Sequence, residues 1–202
     1  MFIQVFQGQV SDEAGVRACM DRWTRDLQPD ATGFLGCTWG MCDDDMFVAL
    51  VRFATEQDAR RNSQRPEQGQ WWDEMKACMR GEVAFTDCTD VMEFMDGGVD
   101  GAGFVQIMEG HSDDMRRMRE LVMATSERIH EVRPEIMGGM LCSDGKGGFV
   151  EAVYFRDENE ARQHEKLEVP DDLRSLLAEE QHLMGEVSYY DMHRPMLVSA
   201  GG

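Results

Sequence analysis

The sequence predicts an α+β fold made of two copies of one β-α-β-β-α-β unit, and three observations carry that prediction. Blocks repeat in the same order: FIQVFQG at 2–8 returns at 104–110 as FVQIMEG, FVALVRFATEQDARRN at 47–62 returns at 149–164 as FVEAVYFRDENEARQH with seven of sixteen positions identical, and GEVAFTD at 81–87 returns at 185–191 as GEVSYYD. Within each copy the apolar pattern switches between alternate residues and helical spacing in one sequence of elements. Between the copies lies DGGVDGAG at 96–103, whose four glycines favour a flexible connector. The expected units are therefore 1–96 and 104–202, joined by a linker over 97–103.

The elements follow in order. In Phe2–Gly8, Ile3 and Val5 alternate with Gln4 and Phe6, which is strand periodicity. After Ser11, a candidate N-cap, Val16, Met20, Trp23 and Leu27 share one helical face that must end before Pro29. Met118, Leu121, Val122, Thr125, Ile129 and Val132 repeat the pattern ahead of Pro134. GFLGCTWG and GGMLCSDG then read as short strands that turn into the β-branched third strand. The second helix starts at Thr55 or Asp157, each followed three residues on by an acid. It breaks near Pro66 or Pro170 and resumes with Trp71, Trp72, Met75, Cys78 and Met79, or with Leu173, Leu176, Leu177 and Leu183. The GEV block is the last strand, and the apolar tails 91–95 and 196–198 suit an extra one. This order, twice, is the ferredoxin-like unit, a four-stranded antiparallel sheet with two helices on one face. The bare faces, on which Gln4, Phe6, Gln106 and Met108 are expected, would then be covered by pressing the two sheets together into one intramolecular barrel. A barrel closed within one chain predicts a monomer with pseudo-two-fold symmetry, with dimerisation through the helical faces left open.

Composition narrows the functional classes. The 202 residues carry 39 acidic and 20 basic side chains, a net charge of −19, and such a surface repels phosphate and anionic lipid. Neither nucleic acid nor membrane is an expected partner. No apolar run approaches the length of a membrane span, and MFIQVFQGQV has no basic leader, so the expectation is a cytoplasmic protein. The six cysteines lack C-x-x-C spacing and read as reduced thiols. Asp43–Asp45 is a solvated turn without calcium-loop spacing, and no phosphate-binding loop, dinucleotide fingerprint or nucleophile elbow is found. No metal is expected.

The polar residue inside the first strand (Gln4, Gln106), the TGFLG run at 32–36, the third-strand pattern F-V-x-x-V-x-F and the acid-x-x-Ala helix start (Glu56–Ala59, Glu158–Ala161) resemble the dimeric α+β barrel superfamily, in particular its antibiotic-biosynthesis-monooxygenase branch. The resemblance covers nearly the whole chain twice. It implies a cofactor-free oxidation of a phenolic or polyketide-like small molecule: a base deprotonates the substrate and the electron-rich anion reduces oxygen. The alternative is a non-catalytic binding or structural member of the same superfamily. The haem-degrading branch fits poorly, because its strand asparagine is glutamine here and no histidine precedes His111.

The candidate catalytic residues are His182 and Tyr154, and the candidate ligand-binding residues are Gln4, Phe6, Gln106, Met108, Phe155, Trp71 and Trp72. A glutamine at the same strand position in both copies needs hydrogen-bond partners if buried. Beyond it the two copies differ in polar equipment, so the expected pocket is asymmetric and is placed under the second half, around His182, Tyr154 and Gln106.

Overall fold

In a computed structural model, which describes residues 1–98 and 100–200, the first copy runs β1 (Phe2–Val10), α1 (Glu13–Arg22), β2 (Phe34–Met41), β3 (Met46–Phe53), α2 (Glu56–Ser63), α3 (Pro66–Ala77) and β4 (Met79–Cys88). The chain continues as β5 (Asp90–Met95), β6 (Phe104–His111), α4 (Met115–Val132), β7 (Ile136–Ser143), β8 (Gly148–Phe155), α5 (Glu158–His164), α6 (Asp171–Met184), β9 (Val187–Met192) and β10 (Met196–Ser199). Position 99 of the expected linker and positions 201–202 lie outside the described residues. The two ferredoxin-like units are present, and each sheet has five antiparallel strands: β10-β2-β3-β1-β4 in one and β5-β7-β8-β6-β9 in the other.

The fifth strand of each sheet comes from the other copy. The tail strand β5 pairs with β7, and β10 pairs with β2, so the compact units are Met1–Thr89 with β10, and Asp90–Pro195. The expected boundaries at 96 and 104 therefore shift. Each tail strand satisfies the free backbone groups along what would otherwise be a sheet edge. Gly139 makes the β5–β7 exchange possible, because a Cβ there would lie 2.0 Å from the ring of Phe94.

Short-range signals are realised closely. Thr55 and Asp157 cap α2 and α5 by accepting the backbone N–H of Asp58 and Glu160. The cap of α1 is Asp12, whose carboxylate accepts the N–H of Gly15, one residue beyond the expected Ser11. Ser11 instead donates to the Cys78 carbonyl. Helix α1 does not stop at Arg22 but winds on as a π-helical turn, Trp23–Leu27, before the 3-10 turn holding Pro29. In the second copy α4 has no such widening and ends ahead of Pro134.

The parity of the first strand is opposite to the expectation. Phe2, Phe6 and Val10 pack under the helices with Val16, Met20, Trp23, Trp71 and Met75, while the buried Ile3 and Val5 occupy the other face. In the second unit Phe104, Phe149, Val153 and Phe155 pack under the helices with Met118 and Val122. Gln4, Phe6, Gln106 and Met108 therefore face helices rather than the helix-free side. Both faces of these strands are apolar, so alternation reveals two sets without saying which one meets the helices.

Candidate functional site

The first unit holds a cavity of about 260 Å³ between its sheet and its helices. Phe6 on β1 and Phe53 on β3 form the sheet-side wall, Phe85 on β4 stands at one flank, and Trp23, Trp71 and Trp72 close it from the helices. Phe6 meets Trp72 edge-on with centroids 5.7 Å apart, Phe6 stacks on Phe85 at 5.9 Å, and Trp72 meets Phe85 at 5.1 Å. Such offset and edge-to-face arrangements hold the rings rigidly. Phe85 is 50% exposed and Trp72 half-buried, so this trio forms a mouth open to solvent.

Hydrogen bonds fix the remaining walls. The π-helical turn presents Trp23, whose indole N–H donates to Gln68 Oε1 at 2.8 Å. The same oxygen accepts from Asn62 at 3.3 Å, and Asn62 in turn accepts from Arg65 at 3.0 Å. The Trp71 indole N–H donates to the Cys19 carbonyl at 2.7 Å, which ties α3 to α1. Gln4 donates through Nε2 to Asp87 Oδ1 at 2.8 Å. No charged side chain lines the cavity. Cys37, which does, is fully buried, and burial pushes its thiol up to about 12 against the weaker pull of Arg52. It is a neutral wall group rather than a nucleophile.

Four of the residues singled out from sequence, Gln4, Phe6, Trp71 and Trp72, thus meet at one cavity. The others do not join them. Gln106 donates to Asp191 at 2.9 Å, as Gln4 does to Asp87, but Asp191 is also paired with Arg162. Met108 and Phe155 are packing residues of the second helix–sheet layer, with Phe155 against Phe104 at 5.5 Å and under the Arg133 guanidinium. Tyr154 is fully buried on the opposite face of β8 from Phe155, and His182 is exposed on α6. The sheet lies between them, so the two candidates His182 and Tyr154 are not side by side. The cavity is in the first half. The equivalent layer of the second unit carries a buried carboxyl instead: Glu151 stands where the first copy has Ala49, and burial followed by the charge of Glu180 pushes it up to about 8.

Trp23, Phe53, Phe85, Gln68 and Asn62 were not anticipated. One signal pointed to this half of the chain and to Trp23: all four tryptophans lie in the first copy and none in the second. Among the described residues no cluster of three or more His, Cys, Asp or Glu side chains is arranged to hold a metal, and no helix is long and apolar enough to cross a membrane.

No protein-family model matches the sequence, and no curated protein sequence does. The fold does have solved counterparts. A protein from Fusobacterium nucleatum named "putative monooxygenase" superposes with a TM-score of 0.78 at 9% identity, covering 100% of this chain and 95% of that one. A second of the same name, from Lactobacillus acidophilus, gives 0.74 at 10% identity over 98% of this chain and 95% of the other. An "anthrone oxidase-like protein" gives 0.69 at 7% identity over 100% and 94%. The chain has the tandem ferredoxin-like fold of these proteins. At such identities the likeness is one of fold, and chemistry must be argued from the site.

Proposed function

We propose that the first unit binds one flat, largely apolar phenolic or polyketide-like molecule in the helix–sheet cavity and acts on it as a monooxygenase-like enzyme without a bound cofactor. The observation that carries this reading is the cavity itself: six aromatic side chains around about 260 Å³, with amides but no charges in the lining. Ligand pockets commonly run from about 300 to 1,000 Å³, so this one suits a small fused-ring system. The fold shared with proteins named for monooxygenase and anthrone oxidase activity supports the same class of chemistry.

In this reading Gln4 orients the substrate oxygen, and Asp87, which lies just outside the lining and accepts a hydrogen bond from Gln4 at 2.8 Å, is the carboxylate that takes up the substrate proton at the cavity mouth. The resulting anion is electron-rich enough to reduce oxygen. For an activated methylene, the CH₂ group and O₂ become a carbonyl and water, with both substrate hydrogens leaving in the water.

A non-catalytic binding role is the second reading, and one observation favours it: the cavity lining contains no histidine, no carboxylate and no activated thiol. Two measurements separate the readings. Titration with anthrone and simple quinols, followed by quenching of tryptophan fluorescence, reports binding beside Trp23, Trp71 and Trp72. Oxygen uptake in the presence of a metal chelator, with no flavin or nicotinamide, reports turnover. Saturable quenching with chelator-resistant uptake supports the enzyme, and quenching with a flat oxygen trace supports the binder. No quenching across the panel refutes both.

A further inference from the structure

Helix α1 carries Gly15 at a position where an added Cβ would lie 2.6 Å from both the Cys78 sulfur and the cap carboxylate of Asp12. Glycine inside a helix is unfavourable, and here it admits a thiol from the end of α3. Cys19 lies one turn further along the same face of α1, which sets its side chain beside the Cys78 thiol, itself donating to the Glu74 carbonyl at 3.5 Å. Both backbones are anchored. The Cys78 carbonyl accepts from the N–H of Ser11 at 2.9 Å and of Asp12 at 3.2 Å, and the Cys19 carbonyl accepts from Trp71.

We infer that Cys19 and Cys78 are a redox-active thiol pair, which a peroxide converts into an intramolecular disulfide that staples α1 to the end of α3 beside the cavity. The two thiols differ in access. Cys78 is half-buried, whereas Cys19, Cys37, Cys42, Cys88 and Cys142 are buried, so a small oxidant reaches Cys78 first. The Cys78 sulfur attacks the peroxide O–O bond: an S–O bond forms, the O–O bond breaks, and Cys78 becomes a sulfenic acid with release of one water. The Cys19 sulfur then attacks the Cys78 sulfur. The S–S bond forms, the S–O bond breaks, and the departing hydroxide takes up the Cys19 proton as a second water. Two thiols and one hydrogen peroxide thus become one disulfide and two waters. Burial, and then the neighbouring Cys78, raise the Cys19 thiol above its ordinary value, so Cys19 waits as the protonated resolving partner.

The second copy lacks this device. Counting from the matching caps, Asp12 and Asp114, Arg117 stands for Gly15 and Leu121 for Cys19. There Arg117 clamps Glu179 with two hydrogen bonds, at 2.7 and 2.9 Å, and so joins α4 to α6. The oxidisable link belongs to the unit whose helices wall the cavity, with Met20 on α1 and Trp71 and Trp72 on α3.

The test needs no ligand and does not depend on the proposed activity. The full-length protein is treated with hydrogen peroxide, alkylated, and digested with trypsin without reductant. The expected result is protection of two thiols, fragments 18–22 and 77–80 joined covalently in a monomeric chain, and a Tm higher by about 10 °C that dithiothreitol reverses, as expected for closing a long loop. C78S should abolish the link. If C78S does not fold, Cys19→Ala should accumulate a dimedone-trapped sulfenic acid at Cys78, because its resolving thiol is gone. Oxidation of Cys78 to sulfinic acid while Cys19 stays alkylatable, or linkage of Cys78 to another chain, would overturn the inference, and so would a complete link with unchanged Tm.

Discussion

Replacing Glu151 by glutamine should stabilise this protein, and more so as the pH rises. Glu151 is 5% exposed on β8, register-paired with Met108 and Leu141, and its pKa stands at about 8 against an ordinary 4.5. Between these values the folded state keeps a proton that the unfolded state has released, so stability falls as pH rises through that window. Each pKa unit corresponds to about 1.36 kcal/mol. The carboxyl therefore costs about 1.4 kcal/mol at about pH 5.5 and about 4 kcal/mol at about pH 7.5, relative to a neutral group of the same shape. Glu151→Gln removes the ionisation and keeps the volume. Urea unfolding of both proteins at the two pH values should show the variant ahead by these amounts, with unchanged m-values. Ala49 at the matching position of the first copy indicates that the fold itself does not require the carboxyl. An equal difference at both pH values, or a variant less stable than the parent at the higher one, would refute the reasoning.

Gly69→Ala should raise stability by about 0.5–1 kcal/mol in urea unfolding, because Gly69 lies inside α3 and an added Cβ meets nothing within 4 Å. Glu135→Ala should lower it by about 2 kcal/mol, because the buried carboxylate accepts from Arg133 at 2.7 Å and bonds His164 at 2.6 Å, leaving both without their partner. Burial pushes the Glu135 carboxyl up, but His164 and Arg133 outweigh it and the net shift is downward. Its contribution should accordingly be present above pH 4.5 and be lost as pH falls through the depressed value, which acid titration followed by circular dichroism checks. Trp72→Ala should weaken binding of a quinol or anthrone probe about tenfold or more in fluorescence titrations, because it removes the ring that meets both Phe6 and Phe85. Gln106→Ala should leave that binding unchanged, since Gln106 lies in the other unit.

Candidate site residues were legible where sequence chemistry was unusual for its place. A glutamine within an apolar strand marked Gln4, and adjacent tryptophans on a helix marked Trp71 and Trp72, and all three line the cavity. Phe53 and Phe85 look like ordinary strand residues, and only the register of β1 with β3 and β4 brings them beside Phe6. His182 drew attention as a titratable side chain, yet it stands exposed on α6, because ionisability alone says nothing about which face of a helix is buried.

The sequence by itself determined the duplication, the order of elements in each copy, and the helix starts at Thr55 and Asp157. These depend on periodicity and on hydrogen bonds between residues three apart, which a local reading contains. Tertiary structure decided the rest. The first strand is apolar on both faces, so only packing of the larger aromatic rings under α1 and α3 selects its parity. The tails 90–95 and 196–199 are equally apolar, and each finds the open edge of the other copy's sheet, a choice made by long-range pairing rather than by local propensity. The cavity lies in the first unit because the π-helical turn brings Trp23 to Gln68, while in the second unit Met118, Val122 and Phe155 fill the same layer. These outcomes depend on contacts between residues far apart in the chain, whose free energies no single segment carries.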